Sequence, residues 1–201
     1  MVSKGITVRA VQALKPGETI WDANHNEAVR GFGIRRQRGD AVYVIKYRVF
    51  GRQRFVTIGR HGSPWTPDKA RREAKRLLGL VASGKDPQAE KAEARAKAAD
   101  TLGKVANDYL KHAKKKQKPR SYSETERHLL INWKPLHVAS VFHLQRRHIA
   151  ARLAQIETER GAVSAARGRA ALSAMFNWAM REGFDIPANP VFGTNRPAEP
   201  K

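Results

Sequence analysis

The chain reads as an α+β protein: a small antiparallel sheet of three or four strands carrying one long helix, then an all-α bundle of four helices. Three observations predict this. Two β-rich runs flank Phe50-Gly51-Arg52 inside AVYVIKYRVFGRQRFVTIGRH (41–61), and both alternate at period two, as a half-buried hairpin does. After Thr66, Ala70, Ala74, Leu77, Leu78 and Val81 recur at helical spacing. From Thr101 onward each periodic segment is helical and the strand texture is gone.

The hairpin organises the first part. Tyr43, Ile45, Tyr47 and Val49 point one way, and Val44, Lys46 and Arg48 the other, giving one apolar and one basic face. Ahead of it, Thr7 caps a short helix with Val8, Val11 and Leu14 inward, and Lys15-Pro16-Gly17 turns the chain. Glu18–Asp22 and Gly31–Arg36 are shorter strands, with Phe32 and Ile34 inward. Thr66-Pro67-Asp68 starts the long helix with an N-cap, a first-turn proline and an acid at the positive dipole end. Arg71, Arg72, Lys75 and Arg76 fall on its outer face, and Gly84 stops it. One helix covers one face of the sheet, which leaves the Lys46/Arg48 side open.

Lys85–Asp100 is rich in Ala, Glu and Lys and has no apolar stripe beyond alanine, so it reads as a helical or semi-rigid linker. Thr101 then caps a helix that keeps Leu102, Val105, Ala106, Tyr109, Leu110 and Ala113 on one side. KKKQK (114–118) and Pro119 follow it. Ser121-x-x-Glu124 and Ser123-x-x-Glu126 each fit a capping box for a second helix reaching Trp133. Gln145–Ile156, with Ile149, Leu153 and Ile156 inward, is the third helix. Ser164–Arg181, with Leu172, Met175, Phe176 and Ala179, is the fourth, closed by Gly183. Trp133, Phe142, Phe176 and Trp178 read as core residues, and the tail from Pro187 as extended. The expected organisation is a domain at 1–84, a linker at 85–100, a second domain at 101–197 and a tail at 198–201.

Charge points to the partner. There are 39 Lys+Arg against 18 Asp+Glu, a formal net charge of +21. Residues 1–88 carry 18 basic and 7 acidic groups, residues 89–100 carry 3 of each, and residues 101–201 carry 18 and 8. Two basic blocks around a neutral connector imply a polyanion. Aromatic content of 7% argues against a base-stacking single-strand binder. With no cysteine, disulfides and thiolate metal sites are excluded. No apolar run reaches membrane-spanning length and no signal-peptide core is present, so a soluble, cytoplasmic protein is expected. Phosphate loops, dinucleotide signatures and zinc-protease motifs are missing. His143 and His148 have no carboxylate at ligand spacing, so neither metal nor cofactor is expected. By its residues alone the chain is a binder, with structured RNA open beside DNA.

At this point the residues resemble a family. Ile6–Leu14 with Lys15-Pro16-Gly17, Trp21-Asp22 and Gly31-Phe32-Gly33-Ile34-Arg35 are similar to the opening of the arm-type DNA-binding domain of phage and genomic-island integrases, the tyrosine recombinases. The resemblance continues through Tyr47-Arg48, Gly51-Arg52, Thr57-Ile58-Gly59, Ala70-Arg71 with Ala74, and Gly84-Lys85-Asp86-Pro87. Thr101-Leu102, then Ser173–Ala179, Gly183 and Asn189-Pro190, resemble the core-binding helical domain of the same family. Val44 stands where the family often has a basic residue on the exposed sheet face.

The resemblance implies sequence-specific binding of double-stranded DNA, arm-type sites by the first domain and core-type attachment sites by the second. Other protomers on the same DNA are implied partners; a membrane or small-molecule substrate is not. The family's catalytic domain, which cleaves strands through a 3′-phosphotyrosine bond, would begin near Pro197. Its nucleophilic tyrosine has no counterpart here, so this chain is expected to bind, as an integrase portion serving a prophage or genomic island. The alternatives are a naturally truncated regulator blocking attachment sites and a structured-RNA binder.

A two-stranded ribbon fits the major groove of B-DNA. Lys46, Arg48 and Thr57 are the groove candidates, and Arg35, Arg36, Arg52, Arg54 and Arg60 the phosphate candidates at strand ends. In the second domain the candidates are Lys114, Lys115, Lys116, Lys118 and Arg120 on the basic run, and Ser121 and Tyr122 at a helix start. Arg146 and Arg147 at the third helix, and Arg167, Arg169 and Arg181 on the fourth, complete the set.

Overall fold

The computed structural model describes residues 2–3 and 5–196; the expected tail at 198–201 lies outside the described residues. The chain divides into two compact units, Met1–Glu93 and Ala94–Lys201, each closed around its own apolar core.

In the first unit the elements run β1 (Val2–Ser3), α1 (Val8–Gln12), β2 (Thr19–Trp21), β3 (Phe32–Arg36), β4 (Ala41–Val49), β5 (Arg52–Arg60) and α2 (Pro67–Ala82). The sheet order follows the sequence order. β2 to β5 are antiparallel, as expected; β1 adds a two-residue parallel edge that no alternating pattern announces. Phe50 and Gly51 link β4 to β5 with φ of 48° and 74°, the left-handed pair that matches the twist of a two-residue hairpin loop.

Phe32, Ile34, Tyr43 and Ile45 are fully buried on the inner face. Thr66 caps α2 by accepting from the Lys69 amide, and Ala70 and Ala74, both 0% exposed, let the helix approach the sheet closely. Leu77, Leu78 and Val81 pack around that contact.

Two residues depart from the expected pattern. Val8 is 49% exposed instead of inward, because α1 is five residues long and buries only Val11. Arg71 is buried instead of on the outer face of α2. It flanks the Ala70/Ala74 stripe and reaches Asp22, whose carboxylate accepts from Arg71 Nε at 2.9 Å and Nη2 at 3.1 Å.

The linker is helical from Pro87 to Ala99 (α3), a helix that buries Pro87 alone, and Asp86 just before it is buried too. Its start is fastened to the hairpin. Asp86 accepts from Tyr47 Oη at 2.5 Å and pairs with Arg54 at 3.0 Å. The Lys91 ammonium donates to the Thr57 carbonyl at 3.0 Å. Burial first, then the bond to Asp86, pushes the Tyr47 phenol up to about 12.

In the second unit α4 (Leu102–Lys116), α5 (Pro119–Arg127), α6 (Arg146–Arg160) and α7 (Ala162–Arg181) are the expected four helices. α5 continues through a π turn at His128–Asn132, then a 3-10 turn at Lys134–Leu136. The predicted inward residues are its core, with Trp133 and Phe176 at 0% exposure. α5 begins at Pro119 with Lys118 in the cap position and no side-chain cap bond. Neither serine capping box forms, since proline at the first helical position already sets the start. Ser123 instead donates back to the Pro119 carbonyl.

The segment after Pro187 folds back where an extended tail is predicted. Asn189 donates to the Ser173 carbonyl at 3.0 Å and to Asn177 at 2.8 Å, and Val191 is 0% exposed. Among the described residues no helix is long and apolar enough to cross a membrane.

Candidate nucleic-acid interface

Strand register sorts the first unit's candidates onto two faces. β4 and β5 pair Val44 with Thr57, Lys46 with Phe55 and Arg48 with Gln53, whereas Ile45 meets Val56, Tyr47 meets Arg54 and Val49 meets Arg52. Directly opposed residues share a face. Lys46, Arg48 and Thr57 therefore lie on the outer face, away from α2. Val42 pairs with Arg60 across a bulge and with Arg35 on β3, which adds both arginines to that face.

The other three candidates lie elsewhere. Arg52 and Arg54 share the register of buried Val56, and Arg54 is committed to Asp86. Arg36 shares the register of Ala41 and donates to the Leu14 carbonyl at 2.8 Å. Lys46, Arg48 and Arg35 have no ion-pair partner among the described residues, and Arg60 meets Asp40 only at 3.4 Å.

The outer face is not uniformly basic. Trp21 on β2 is in register with Gly33, and its ring occupies the space beside that glycine: a Cβ there would come within 2.6 Å of the indole. The ring reaches toward Phe55, with centroids 6.5 Å apart. Val44, expected on the exposed face, lies in register between Gly33 and Thr57 and is 1% exposed. Phe55 stays 40% exposed. An apolar ridge thus crosses the face. At one end Arg30, Lys46, Arg48 and Gln53 border an open groove of about 880 Å³ that runs round the sheet to Leu78 and Val81 of α2; at the other Arg35, Val42, Thr57 and Arg60 line one of about 960 Å³.

Sequence reading missed Trp21, Gln53 and Phe55. Their signal was parity: Gln53 and Phe55 alternate with Arg52 and Arg54, so the register that buries Val56 turns them outward.

In the second unit Lys114, Lys115, Lys116, Lys118 and Arg120 are exposed, at the end of α4 and the start of α5. Arg120, Ser121 and Arg167 line one groove between α5 and α7, about 520 Å³. Tyr122 turns its hydroxyl to Glu126 at 2.8 Å. Arg169 is drawn away from solvent, donating to Thr194 Oγ1 at 2.8 Å and to the Val191 carbonyl at 3.3 Å. Arg146 lies over Gly193, Arg147 is exposed, and Arg181 folds onto the Asn177 carbonyl. The twelve residues are thus dispersed, with one group in the α5–α7 groove and another against the 191–194 segment.

Residues 6–94 match the family model of the Arm DNA-binding domain, which makes the first unit a DNA-binding domain. A lambda integrase tetramer bound to a Holliday junction is similar over 86% of this chain and 48% of that one, at 23% identity and a TM-score of 0.51. A lambda integrase (75–356) dimer bound to a COC' core site covers 50% of this chain and 37% of that one, at 26% identity and a TM-score of 0.46. A fragment (61–160) from Clostridium leptum covers 49% and 90%, at 17% identity and a TM-score of 0.44. No curated protein matches. The chain spans less than half of the lambda integrase chains it resembles. Residues 6–94 thus carry an Arm DNA-binding domain, and the likeness to the lambda integrase tetramer, which extends over the helical unit, is one of fold.

Proposed function

We propose that the chain is the two-handed DNA-binding portion of a site-specific integrase acting in integration or excision of a prophage or genomic island, in the bacterial cytoplasm. The first unit reads arm-type duplex sites through the outer sheet face, and the second grips core-type attachment sites, alongside other protomers on the same DNA. The observation that carries this reading is the register that gathers Arg35, Lys46, Arg48, Thr57 and Arg60 on the one face α2 leaves uncovered. A twisted two-stranded ribbon with long cationic side chains fits the major groove, and phosphate neutralisation supplies most of the affinity.

The test uses the full chain on arm-type and core-type duplexes with folded RNA as competitor. Lys46→Glu with Arg48→Glu abolishes arm-type binding and spares core-type binding. Sequence-blind binding to every duplex, or preference for folded RNA, sinks the reading. Whether the reading frame continues past Lys201 separates an integrase portion from a naturally short regulator.

A further inference from the structure

We propose that the groove between α5 and α7 holds a specific site for a phosphodiester oxyanion, which the Glu124 carboxylate fills when no DNA is bound. The inference rests on the reading that the second unit binds duplex DNA, and it assigns a residue, His128, that charge and sequence pattern do not mark.

Three nitrogens converge on one oxygen, Glu124 Oε2: Arg127 at 3.0 Å, His128 Nε2 at 3.6 Å and Arg167 at 3.9 Å. Only the first is a full hydrogen bond; the other two donors face the oxygen without reaching it. His128 is 2% exposed and its Nε2 has no hydrogen-bond partner, a state that buried polar atoms seldom keep without a purpose. Its Nδ1 accepts from Asn132 Nδ2 at 2.9 Å, and the same amide also donates to Ser164 Oγ at 3.2 Å. The proton therefore sits on Nε2, which aims an N–H into the groove; a bare lone pair there would oppose the carboxylate.

The ring is fixed from behind. Gly168 on α7 brings its backbone against the π turn, with its carbonyl accepting from Trp133 Nε1 at 3.0 Å. A Cβ on Gly168 would press on Asn132 at 3.3 Å. Burial, then the neighbouring Arg127 charge, lowers the His128 pKa, so the imidazole is a neutral donor at neutral pH. Arg120 and Ser121 add a cation and a hydroxyl along the same wall. Tethered to α5, the Glu124 carboxylate leaves the His128 and Arg167 nitrogens at 3.6 and 3.9 Å, whereas an untethered phosphodiester can seat its two free oxygens within hydrogen-bond reach of these donors. Glu124 is half-exposed, so its side chain can swing to solvent as the phosphate enters.

The experiment measures full-chain affinity for a core-type duplex as a function of salt. Glu124→Gln raises affinity about tenfold and steepens the log–log salt slope by about one, the signature of one more phosphate engaged. Glu126→Gln on the same helix, whose carboxylate is held by Tyr122, changes affinity less than about twofold. Adding Arg167→Gln to Glu124→Gln removes the gain. The His128 Nε2–H resonance shifts on titration with the duplex; a parallel titration with inorganic phosphate at equal phosphate concentration leaves it in place if DNA is the ligand. Equal gains from both glutamate variants, or a His128 resonance unmoved by a duplex that binds, overturn the site and leave the DNA-binding reading standing. A wild-type chain that binds no duplex overturns both.

Discussion

The Lys46 amide donates to the Gly31 carbonyl at 2.7 Å, and a Cβ on Gly31 would lie 2.3 Å from the Lys46 carbonyl oxygen. Gly31 has φ +87°, so the position rejects other residues both by conformation and by contact. The backbone of the foremost candidate reader is thus held by a residue fifteen positions earlier. Gly31→Ala should destabilise the first unit by about 2–4 kcal/mol, combining a left-handed penalty with a backbone clash. Urea denaturation followed by tryptophan fluorescence measures it; a loss under about 0.5 kcal/mol would show that the strand can shift without cost.

Parity predicts an asymmetry between neighbouring basic residues. Lys46→Gln with Arg48→Gln should flatten the log–log salt slope of arm-type binding by about two, near 0.9 for each cation withdrawn from the groove, where it neutralises flanking phosphates while facing the bases. Arg52→Gln, one strand position away but on the opposite face, should leave the slope nearly unchanged. Equal flattening by both variants would place the DNA at the hairpin tip and not on the outer face.

Most of the fold was legible because it follows local rules: period-two alternation fixed β4, proline and threonine fixed the start of α2, and helical spacing fixed the cores of α4, α6 and α7. The site was legible only where the same alternation was applied to β5. Arg54 and Arg60 look equivalent as charges, yet one faces Asp86 and the other the open face. Long-range partners were not legible. Arg71 has the spacing of a flank residue, and only a carboxylate 49 positions earlier draws it inside. His128 and Glu124 escaped for a related reason, since their groove exists only once α7 closes over the π turn.

The Asp22–Arg71 pair also makes the first unit acid-sensitive. Burial would raise the Asp22 carboxyl, but hydrogen bonds from Arg71, His25 and the Val29 and Ile6 amides outweigh it and hold the group well below its ordinary value of 3.8. A carboxyl depressed in the folded state stabilises it above the unfolded pKa, and that stabilisation is lost as pH falls through the window below 3.8. Asp22→Asn should cost about 3–5 kcal/mol near neutrality by leaving a buried guanidinium short of its partner. It should also flatten the acid limb of stability against pH. A variant as acid-sensitive as the wild type would assign that limb to other carboxylates.

The exposed ring of Phe55 predicts which bases the outer face prefers. It lies opposite Lys46 and is backed by Trp21, so on the proposed reading an apolar surface enters the major groove beside the cationic reader. The apolar feature of that groove is the thymine C5-methyl. Burying one methyl is worth about 0.8 kcal/mol, or about fourfold in affinity. Replacing thymine by deoxyuridine across an arm-type site, one position at a time, should therefore weaken binding about fourfold at one or two positions and leave the rest unchanged. Phe55→Ala should lower affinity for the thymine duplex and abolish the difference between the two bases, while the salt slope stays the same because no phosphate contact is lost. If Phe55→Ala weakens binding but the sensitivity to deoxyuridine persists, another group reads the methyl and Phe55 only supports the face. If the slope falls with the affinity, the ring is holding Lys46 in place and reads no base.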